Sequence, residues 1–249
     1  MGAVYPILFI DRMFFETADN GKVVTQVIYN ILGINQAGHR EILGFYVAES
    51  ELTASEGTNF WLGVLNDLKQ RGVADILIAC VYNFSGFSDA IGVYFPKTAT
   101  QLCILHQIRH SLKYVASKHK QEFIKDLKAV YQAKSQDIAA QQLSRLDEKW
   151  GTTYPMVIKA WQTNWENLTH YFQYPEEIRK LIHTTALEDF HRQIRKITKN
   201  QEVFTNETAL FKLIYCVYQK NAKKWAAPLP NWALTLYHLE TYFEIGEVP

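Results

Sequence analysis

Two carboxylates occupy places in the sequence where an acidic side chain could do chemistry. The first, Asp11, lies within the segment ILFIDRMFF and has apolar residues on both sides. Burying an ionised carboxylate is costly unless it is hydrogen-bonded, paired or bound to a metal ion. Asp11 is therefore interpreted either as a metal ligand or as a core aspartate whose hydrogen bonds are satisfied. A third alternative is that the predicted register of the strand is wrong and Asp11 is not buried.

The second carboxylate, Glu188, opens a cationic stripe in the segment TTALEDFHRQIRKITKN. On a helix, one face carries Glu188, Arg192, Arg195 and Lys199, and His191 and Lys196 flank that face. This pattern suits a metal ligand beside a track that binds phosphates. The alternative is a solvated helix face with an ordinary pair between Glu188 and Arg192.

A third motif, Cys103-x-x-His106, could supply half of a zinc site, because thiolate and imidazole both suit Zn²⁺. No second pair follows at a suitable spacing, so we interpret these residues as a packed thiol and a histidine that hydrogen-bonds near a strand end. The glycines are dispersed and form neither a phosphate loop nor a nucleophile elbow. The pattern therefore argues against nucleotide-dependent chemistry and serine hydrolysis.

The composition is that of an ordinary folded protein. The 249 residues are 48% hydrophobic, 14% aromatic and 20% charged, which argues against disorder. A net charge of +1 does not by itself indicate a nucleic-acid binder, and three widely spaced cysteines suggest reduced thiols. Because neither a signal peptide nor a long apolar run is evident, we expect a soluble, intracellular protein.

The elements that must position these residues alternate between strand and helix over the first hundred positions. The predicted elements are strands Tyr5–Phe15, Val23–Ile34 and Glu41–Ala48, helix Asn59–Arg71, strand Asp75–Tyr82, a short helix Ser88–Phe95 and strand Thr100–Leu105. Asp19-Asn20-Gly21 predicts the first turn. The order βββαβαβ followed by helices is that of a ribonuclease H-like α/β domain with a mixed sheet.

The rest of the chain is predicted to be helical. Phe123, Leu127, Val130 and Tyr131 form an amphipathic stripe within the helical stretch that ends near His183. Further helices are predicted at Leu187–Ile197 and Ala209–Trp225, ending before Pro228 and Pro230. We therefore expect a first part of the core at 1–106, a helical insertion at 107–183, and a completion of the core at 184–249.

Taken together, six segments resemble the Mutator-type transposases of bacterial insertion sequences. They are YPILFIDRMFFE, GVADILIACVYNFSGF, CILHQIRHSLKYV, YPEEIRKLIHTT, EDFHRQIRKITKN and KKWAAPLPNW, in family order between Tyr5 and Phe243. The resemblance implies a ribonuclease H-like fold with an all-helical insertion before the last acidic residue. It also implies an Asp-Asp-Glu triad that holds two Mg²⁺ or Mn²⁺ ions for phosphoryl transfer on DNA.

Carried over by motif, the resemblance makes Asp11 the first aspartate and Glu188 the glutamate of this triad, and hence metal ligands. Cys103 and His106 match the Cys-x-x-His signature of the family, and Arg109 follows it. The resemblance further implies that the chain binds transposon ends and target DNA, with Arg109 and the cationic stripe as contacts. We expect it in the bacterial cytoplasm, associated with the nucleoid and not with a membrane.

The sequence departs from the family at the middle aspartate. Where the family reads Ala-Cys-Val-Asp-Gly, this chain has Tyr82 in place of the aspartate. A phenol with a pKa of about 10 stays neutral at pH 7, whereas Mg²⁺ prefers anionic oxygen. Asp75, at the opposite end of the same predicted strand, and Asp89, on the next helix, are poorly placed to substitute. We therefore expect weakened or absent metal binding and impaired catalysis.

Two further departures point the same way. The family run Thr-Thr-Asn-Ala-(Ile)-Glu is one residue shorter here, and one position on a helix rotates a side chain by about 100°. This change either misplaces Glu188 or shortens the preceding loop. The strand pattern also starts within the first few residues, which suggests a truncated chain without the family's amino-terminal helical region that reads transposon ends.

Three functions remain open from the sequence. The first is an active metal-dependent transposase or nuclease. The second is a non-catalytic relic that still binds DNA, or associates with itself or with an intact transposase subunit. The third is a folded product of a truncated gene with no present role.

Overall fold

The computed structural model describes residues 2–19, 21–48, 54–82, 84–183, 186–199 and 203–243. The chain divides into two compact units, the first formed by Met1–Thr100 with Thr184–Pro249 and the second by Gln101–His183. None of the described helices has the combination of length and apolar character that a membrane span requires.

The elements follow one another in an α/β order. The strands are β1 (Val4–Asp19), β2 (Lys22–Ile34), β3 (Arg40–Ala48), β4 (Asp75–Val81), β5 (Ala99–Leu102) and β6 (Val203–Phe204). The helices are α1 (Ala54–Gln70), α2 (Phe87–Tyr94), α3 (Ile104–Tyr114), α4 (Lys120–Tyr131), α5 (Gln136–Trp150), α6 (Pro155–Thr163), α7 (Trp165–Thr169), α8 (Glu176–Ile182), α9 (Ala186–Thr198), α10 (Glu207–Lys224) and α11 (Trp232–Phe243). Short 3₁₀ turns lie at Ser117–His119 and His170–Gln173.

The sheet is mixed, as the strand pattern predicted. Strands β1, β2 and β3 form an antiparallel meander, and β4 runs parallel to β1, giving the order β3-β2-β1-β4-β5 among the described strands. At Gly21 a φ of 78° supports the predicted turn between β1 and β2, while Asn20 lies outside the described residues. The α/β class is therefore confirmed, and the ribonuclease H-like assignment stays a prediction.

One side of β1 is shared by two short partners. Strand β4 pairs with β1 up to Ile10, opposite Val81, and β6 pairs with it only at Glu16 and Thr17. Between these pairings, residues 11–15 have no partner strand on this side among the described residues. Asp11 is the first residue of this open stretch.

The alternation of β1 sends Asp11 and Arg12 to opposite faces of the sheet. Register places Asp11 beside Asn30 of β2, which lies beside Phe45 of β3, and the Phe45 ring stacks on Phe190 of α9. The α9 helix therefore covers the face that carries Asp11. On the opposite face, Arg12 lies beside Tyr29 of β2, which lies beside Tyr46 of β3. The Tyr46 hydroxyl donates to Asp67 of α1, so α1 lies on this face.

The second unit is built from helices. Phe123, Leu127 and Val130 of its predicted stripe are buried, and Tyr131 is half-buried. The indole of Trp161 donates to Ser111 Oγ at 2.9 Å, which satisfies both groups inside the helical core.

The prediction was wrong at several element boundaries. Strand β5 ends at Leu102 and α3 begins at Ile104, because a short apolar run is equally compatible with a strand and a buried helix start. The strand β6 and the helix α11 were not predicted. Helix α11 follows the prolines and is held by a distant contact, since the Trp232 indole donates to the Gln36 carbonyl at 2.7 Å.

Candidate functional site

Asp11 is almost completely buried, and both of its carboxylate oxygens have close contacts. Its Oδ1 accepts the backbone N–H of Arg12 at 2.7 Å, and its Oδ2 lies 3.1 Å from Nδ1 of His191. These contacts offset the desolvation of the carboxylate. They also keep it in a defined orientation at the start of the open stretch of β1.

The other side chains of the site come from one face of α9. Glu188 and His191 are separated by three positions, so they lie on the same side of the helix. Leu187, Phe190 and Ile194 are buried beneath the helix. Phe190 also packs near Trp225, which directly follows α10, with ring centroids 6.0 Å apart. This apolar packing brings both polar side chains to Asp11.

Asp11, Glu188 and His191 form a cluster whose candidate ligand atoms all lie within 4.8 Å of one another. Glu188 therefore lies at the same site as Asp11. Among the described residues, this is the one group of three or more acidic, histidine or cysteine side chains with metal-binding spacing. Two carboxylates and an imidazole are suitable donors for a divalent transition-metal ion.

His191 is a buried member of the cluster, and its Nδ1 faces Asp11. It is 1% exposed, and its Nε2 is buried with no hydrogen-bond partner among the described residues. Leaving a buried polar atom unsatisfied costs about 1–3 kcal/mol. Sequence reasoning included His191 as a motif residue and did not assign it to the metal ligands.

Asn30 is a polar neighbour that the sequence analysis missed. It lies opposite Asp11 on β2, is fully buried, and donates from Nδ2 to the Ile28 carbonyl at 3.2 Å. Its Oδ1 is buried without a hydrogen-bond partner among the described residues. The signal was available, because Asn30 interrupts the apolar run VIYNILGI as Asp11 interrupts its own strand.

The cationic stripe lies on the outer side of α9, next to Glu188. Arg195 donates to Glu188 Oε1 at 2.8 Å, and Arg192 donates to Asp189 at 2.9 Å. The side chains of Arg192 and Arg195 are 75% and 52% exposed. The stripe, completed by the exposed Lys196 and Lys199, therefore faces solvent beside the cluster.

Tyr82 follows the last residue of β4 and joins a cation–aromatic group. The guanidinium carbon of Arg12 lies 5.0 Å from the Tyr82 ring centroid and 5.1 Å from that of Phe14. The Phe84 ring is 5.7 Å from Tyr82.

At Gly86, φ is 73° and a Cβ would lie 2.3 Å from the Thr58 backbone nitrogen, so this loop requires glycine.

A cavity of about 620 Å³ opens along the open stretch of β1. Its lining includes Arg12, Phe14, Thr25, Arg195, Thr198 and Phe204. Phe14 is 50% exposed, although it is a large apolar side chain. Guanidinium groups beside an exposed ring are features that bind phosphates and bases of a nucleic-acid strand.

The remaining predicted residues belong to the second unit. Cys103 precedes α3 with extended backbone geometry, and His106 and Arg109 lie on α3. Cys103 is a free thiol, as are Cys80 and Cys216. Among the described residues, no group of three or more acidic, histidine or cysteine side chains with metal-binding spacing includes Cys103 or His106.

Comparisons with known proteins match nearly the whole chain. The family model described as "Transposase, Mutator family" matches residues 1–228. A probable transposase for an insertion sequence element from Sinorhizobium fredii and a transposase for a related element from Rhizobium meliloti are each 36% identical over 230 residues, or 92% of this chain and 56% of theirs. A probable insertion sequence transposase from Corynebacterium diphtheriae is 29% identical over 242 residues, or 96% of this chain and 69% of its own. The chain thus spans about half the length of the first two relatives.

Proposed function

Because the chain belongs to the Mutator family of transposases, we propose that it is the catalytic portion of an Asp-Asp-Glu transposase that acts on DNA. One observation carries this proposal. Asp11 and Glu188, which are distant in sequence, converge within 4.8 Å beside an exposed cationic helix face. We propose a ribonuclease H-like core as the scaffold, with the helical region 107–183 as an insertion.

In this proposal Asp11 and Glu188 hold Mg²⁺ or Mn²⁺. The bound ions supply activation of water or a 3′-hydroxyl and stabilisation of the leaving oxygen. Asp11 contributes a carboxylate whose orientation is set by the Arg12 backbone N–H. Glu188 contributes a carboxylate whose Oε1 accepts from Arg195.

The cations next to the cluster orient the DNA. Arg192, Arg195, Lys196 and Lys199 present positive charge along α9, where the phosphates of a strand entering the site would lie. Arg109 is proposed as a further DNA contact, carried by the helix α3 of the second unit. DNA as substrate places the action of the protein at the nucleoid of the bacterial cytoplasm.

The proposal includes impaired catalysis, because Tyr82 occupies the position of the middle aspartate. Tyr82 directly follows Val81, and Asp11 directly follows Ile10, the register partner of Val81. A neutral phenol removes one negative charge from the centre and replaces a compact ligand with a bulky ring. We therefore expect strand cleavage and transfer to be far slower than with an aspartate at this position.

A strand-transfer assay on terminal-repeat DNA, with Mg²⁺ or Mn²⁺, tests this function. We expect little or no product from the wild type and a gain of product from Tyr82→Asp. Adding Asp11→Asn to Tyr82→Asp should remove the product again, and Tyr114→Asp, at an exposed tyrosine, serves as the charge control. Strong activity of the wild type would refute the impairment, and no activity of folded Tyr82→Asp would refute the catalytic assignment.

A second candidate function is a non-catalytic protein that binds DNA or an intact transposase subunit. It is favoured because the exposed cationic stripe is retained although Tyr82 takes the place of the middle aspartate. Arg192→Glu with Lys199→Glu should weaken DNA binding and flatten its salt dependence. Lys223→Glu with Lys224→Glu, on exposed positions of α10, gives a control of equal charge change. Co-purification with an intact relative, or self-association in sedimentation, tests the protein partner.

A further inference from the structure

We propose that His191 is the third protein ligand of the metal centre and that it makes this centre select Mn²⁺ over Mg²⁺. In this assignment an imidazole from α9 replaces the carboxylate that is missing at Tyr82. The inference rests on the proposed function and specifies the metal chemistry of the same site.

The spacing of His191 and Asp11 fits two ligands of one ion. Nδ1 of His191 and Oδ2 of Asp11 are 3.1 Å apart, and a Glu188 oxygen completes a group within 4.8 Å. Two atoms that each lie about 2.1 Å from one ion, at right angles, are about 3.0 Å apart. The observed separation therefore needs little movement to accept a cation.

The surroundings of His191 favour a positive charge at this point. Its ring is 1% exposed and lies beside two carboxylates, Asp11 and Glu188. Arg195 pairs with the half-buried Glu188 from the outer side of the helix, and a cation between the two carboxylates would further relieve their repulsion. Nδ1 faces Asp11, whereas Nε2 has no hydrogen-bond partner among the described residues, so Nδ1 is the nitrogen that is placed to bind the ion.

The other acidic residues near β4 do not supply this ligand. Asp75 begins β4, at the end opposite to Tyr82, and its Oδ1 accepts the backbone N–H of Ile76 at 2.8 Å. Asp89 is exposed in the first turn of α2. His191, in contrast, lies beside Asp11 and belongs to a helix that begins more than a hundred residues after Tyr82.

The exchange of a carboxylate for an imidazole changes which ion the site prefers. Mg²⁺ is a hard cation that prefers an all-oxygen set with octahedral geometry. Imidazole nitrogen suits first-row transition-metal ions, and Mn²⁺ accepts both nitrogen and carboxylate oxygen. A set of one nitrogen and two carboxylates should therefore bind Mn²⁺ well and Mg²⁺ poorly.

Mn²⁺ binding to the purified chain, without DNA, tests the inference. Titration followed by electron paramagnetic resonance measures affinity, and electron spin echo modulation detects a nitrogen bound to Mn²⁺. We expect a ¹⁴N coupling that changes to a ¹⁵N pattern when the histidines are ¹⁵N-labelled. We expect His191→Ala to lose this coupling and to weaken Mn²⁺ binding by about 10-fold or more. His39→Ala, at a half-buried histidine of a loop, should leave both unchanged.

His191→Asp provides the reciprocal test and covers the case in which His191→Ala does not fold. It restores a third carboxylate, so the nitrogen coupling should vanish while Mg²⁺ competes better against Mn²⁺. If His191→Asp or His191→Ala leaves the coupling and the Mn²⁺ preference unchanged, His191 is not the ligand. Wild-type protein that binds Mn²⁺ without any nitrogen coupling overturns the inference as well.

Asp11→Asn separates this inference from the proposed function. If Asp11→Asn removes Mn²⁺ binding while the His191 variants bind Mn²⁺ as the wild type does, the metal centre is supported and the role of His191 as a ligand is refuted. If Mn²⁺ binds equally to Asp11→Asn and to the wild type, the metal centre itself is refuted, and the proposed function falls with it.

Discussion

His183 and His191 lie eight positions apart in the sequence and have opposite surroundings. Each has a buried Nε2 with no hydrogen-bond partner among the described residues. His183 lies at the end of the helical unit, beside the Tyr171 ring at 4.5 Å and near the cation Arg179. His191 lies in the sheet unit beside Asp11 and Glu188.

The comparison shows that an unpartnered buried nitrogen does not by itself identify a metal ligand. Burial, aided by the charge of Arg179, lowers the pKa of His183 to about 4, so this ring stays neutral and only packs. The two carboxylates around His191 create instead a place that attracts a cation. The charges that surround each ring, supplied by tertiary packing, therefore distinguish the proposed ligand His191 from His183.

The largest effect is expected from removing the packing that places His191. Phe190→Ala deletes a fully buried ring between Phe45 and Trp225 and should lower the free energy of unfolding by about 3–5 kcal/mol. Urea unfolding measures this loss, and Mn²⁺ titration below the transition should show weaker binding. Phe14→Ala, at a half-exposed ring, should cost far less. Equal costs for the two variants would contradict the packing role of Phe190.

The next effect concerns His183 and pH. Because its pKa in the folded protein, about 4, lies below the ordinary 6.5, the unfolded chain takes up the proton first as pH falls. The neutral His183 therefore leaves the free energy of unfolding undiminished above pH 6.5. As pH falls from 6.5 to 4, the free energy of unfolding decreases by about 3 kcal/mol in total because of this residue. Urea unfolding of the wild type and His183→Asn at pH 7 and pH 4.5 checks this. The same pH dependence in both proteins would contradict it.

Metal binding should raise the stability of the sheet unit through His191 and not through His183. At a Mn²⁺ concentration of 100 times the dissociation constant, the gain is about 2.7 kcal/mol. Thermal unfolding should show this gain in the wild type and in His183→Asn, measured at pH 7. His191→Asn should show much less of it at the same Mn²⁺ concentration. A loss of the gain in His183→Asn would break the distinction between the two histidines.

The smallest effect concerns the contact of the Arg12 guanidinium with the ring of Tyr82. A double-mutant cycle with Arg12→Met and Tyr82→Leu should give a coupling of about 0.5–1 kcal/mol in the free energy of unfolding. Arg12→Met with Tyr94→Leu, at a half-buried tyrosine of α2, provides the reference cycle. No coupling in the first cycle would show that the ring does not depend on Arg12 for its position.

Local patterns were enough to predict the main elements. Alternation of apolar residues located β1, β2 and β3, and the apolar run after Asp75 located β4 to within one residue. These signals are local, because a strand or an amphipathic helix repeats its pattern within a few residues. The prediction missed β6 and the end of β5, because strands of two to four residues are too short to show a periodic pattern.

The sequence by itself determined the motifs shared with the Mutator family, the presence of Tyr82 after the apolar run of β4 and the cationic face of α9. Only the tertiary structure decided that Glu188 reaches Asp11, that His191 shares their cluster, and that Asn30 lies beside them. The physical reason is that the approach of distant residues depends on strand register and on the packing of Phe190 against the sheet. Neither quantity is encoded in the spacing of residues within one element.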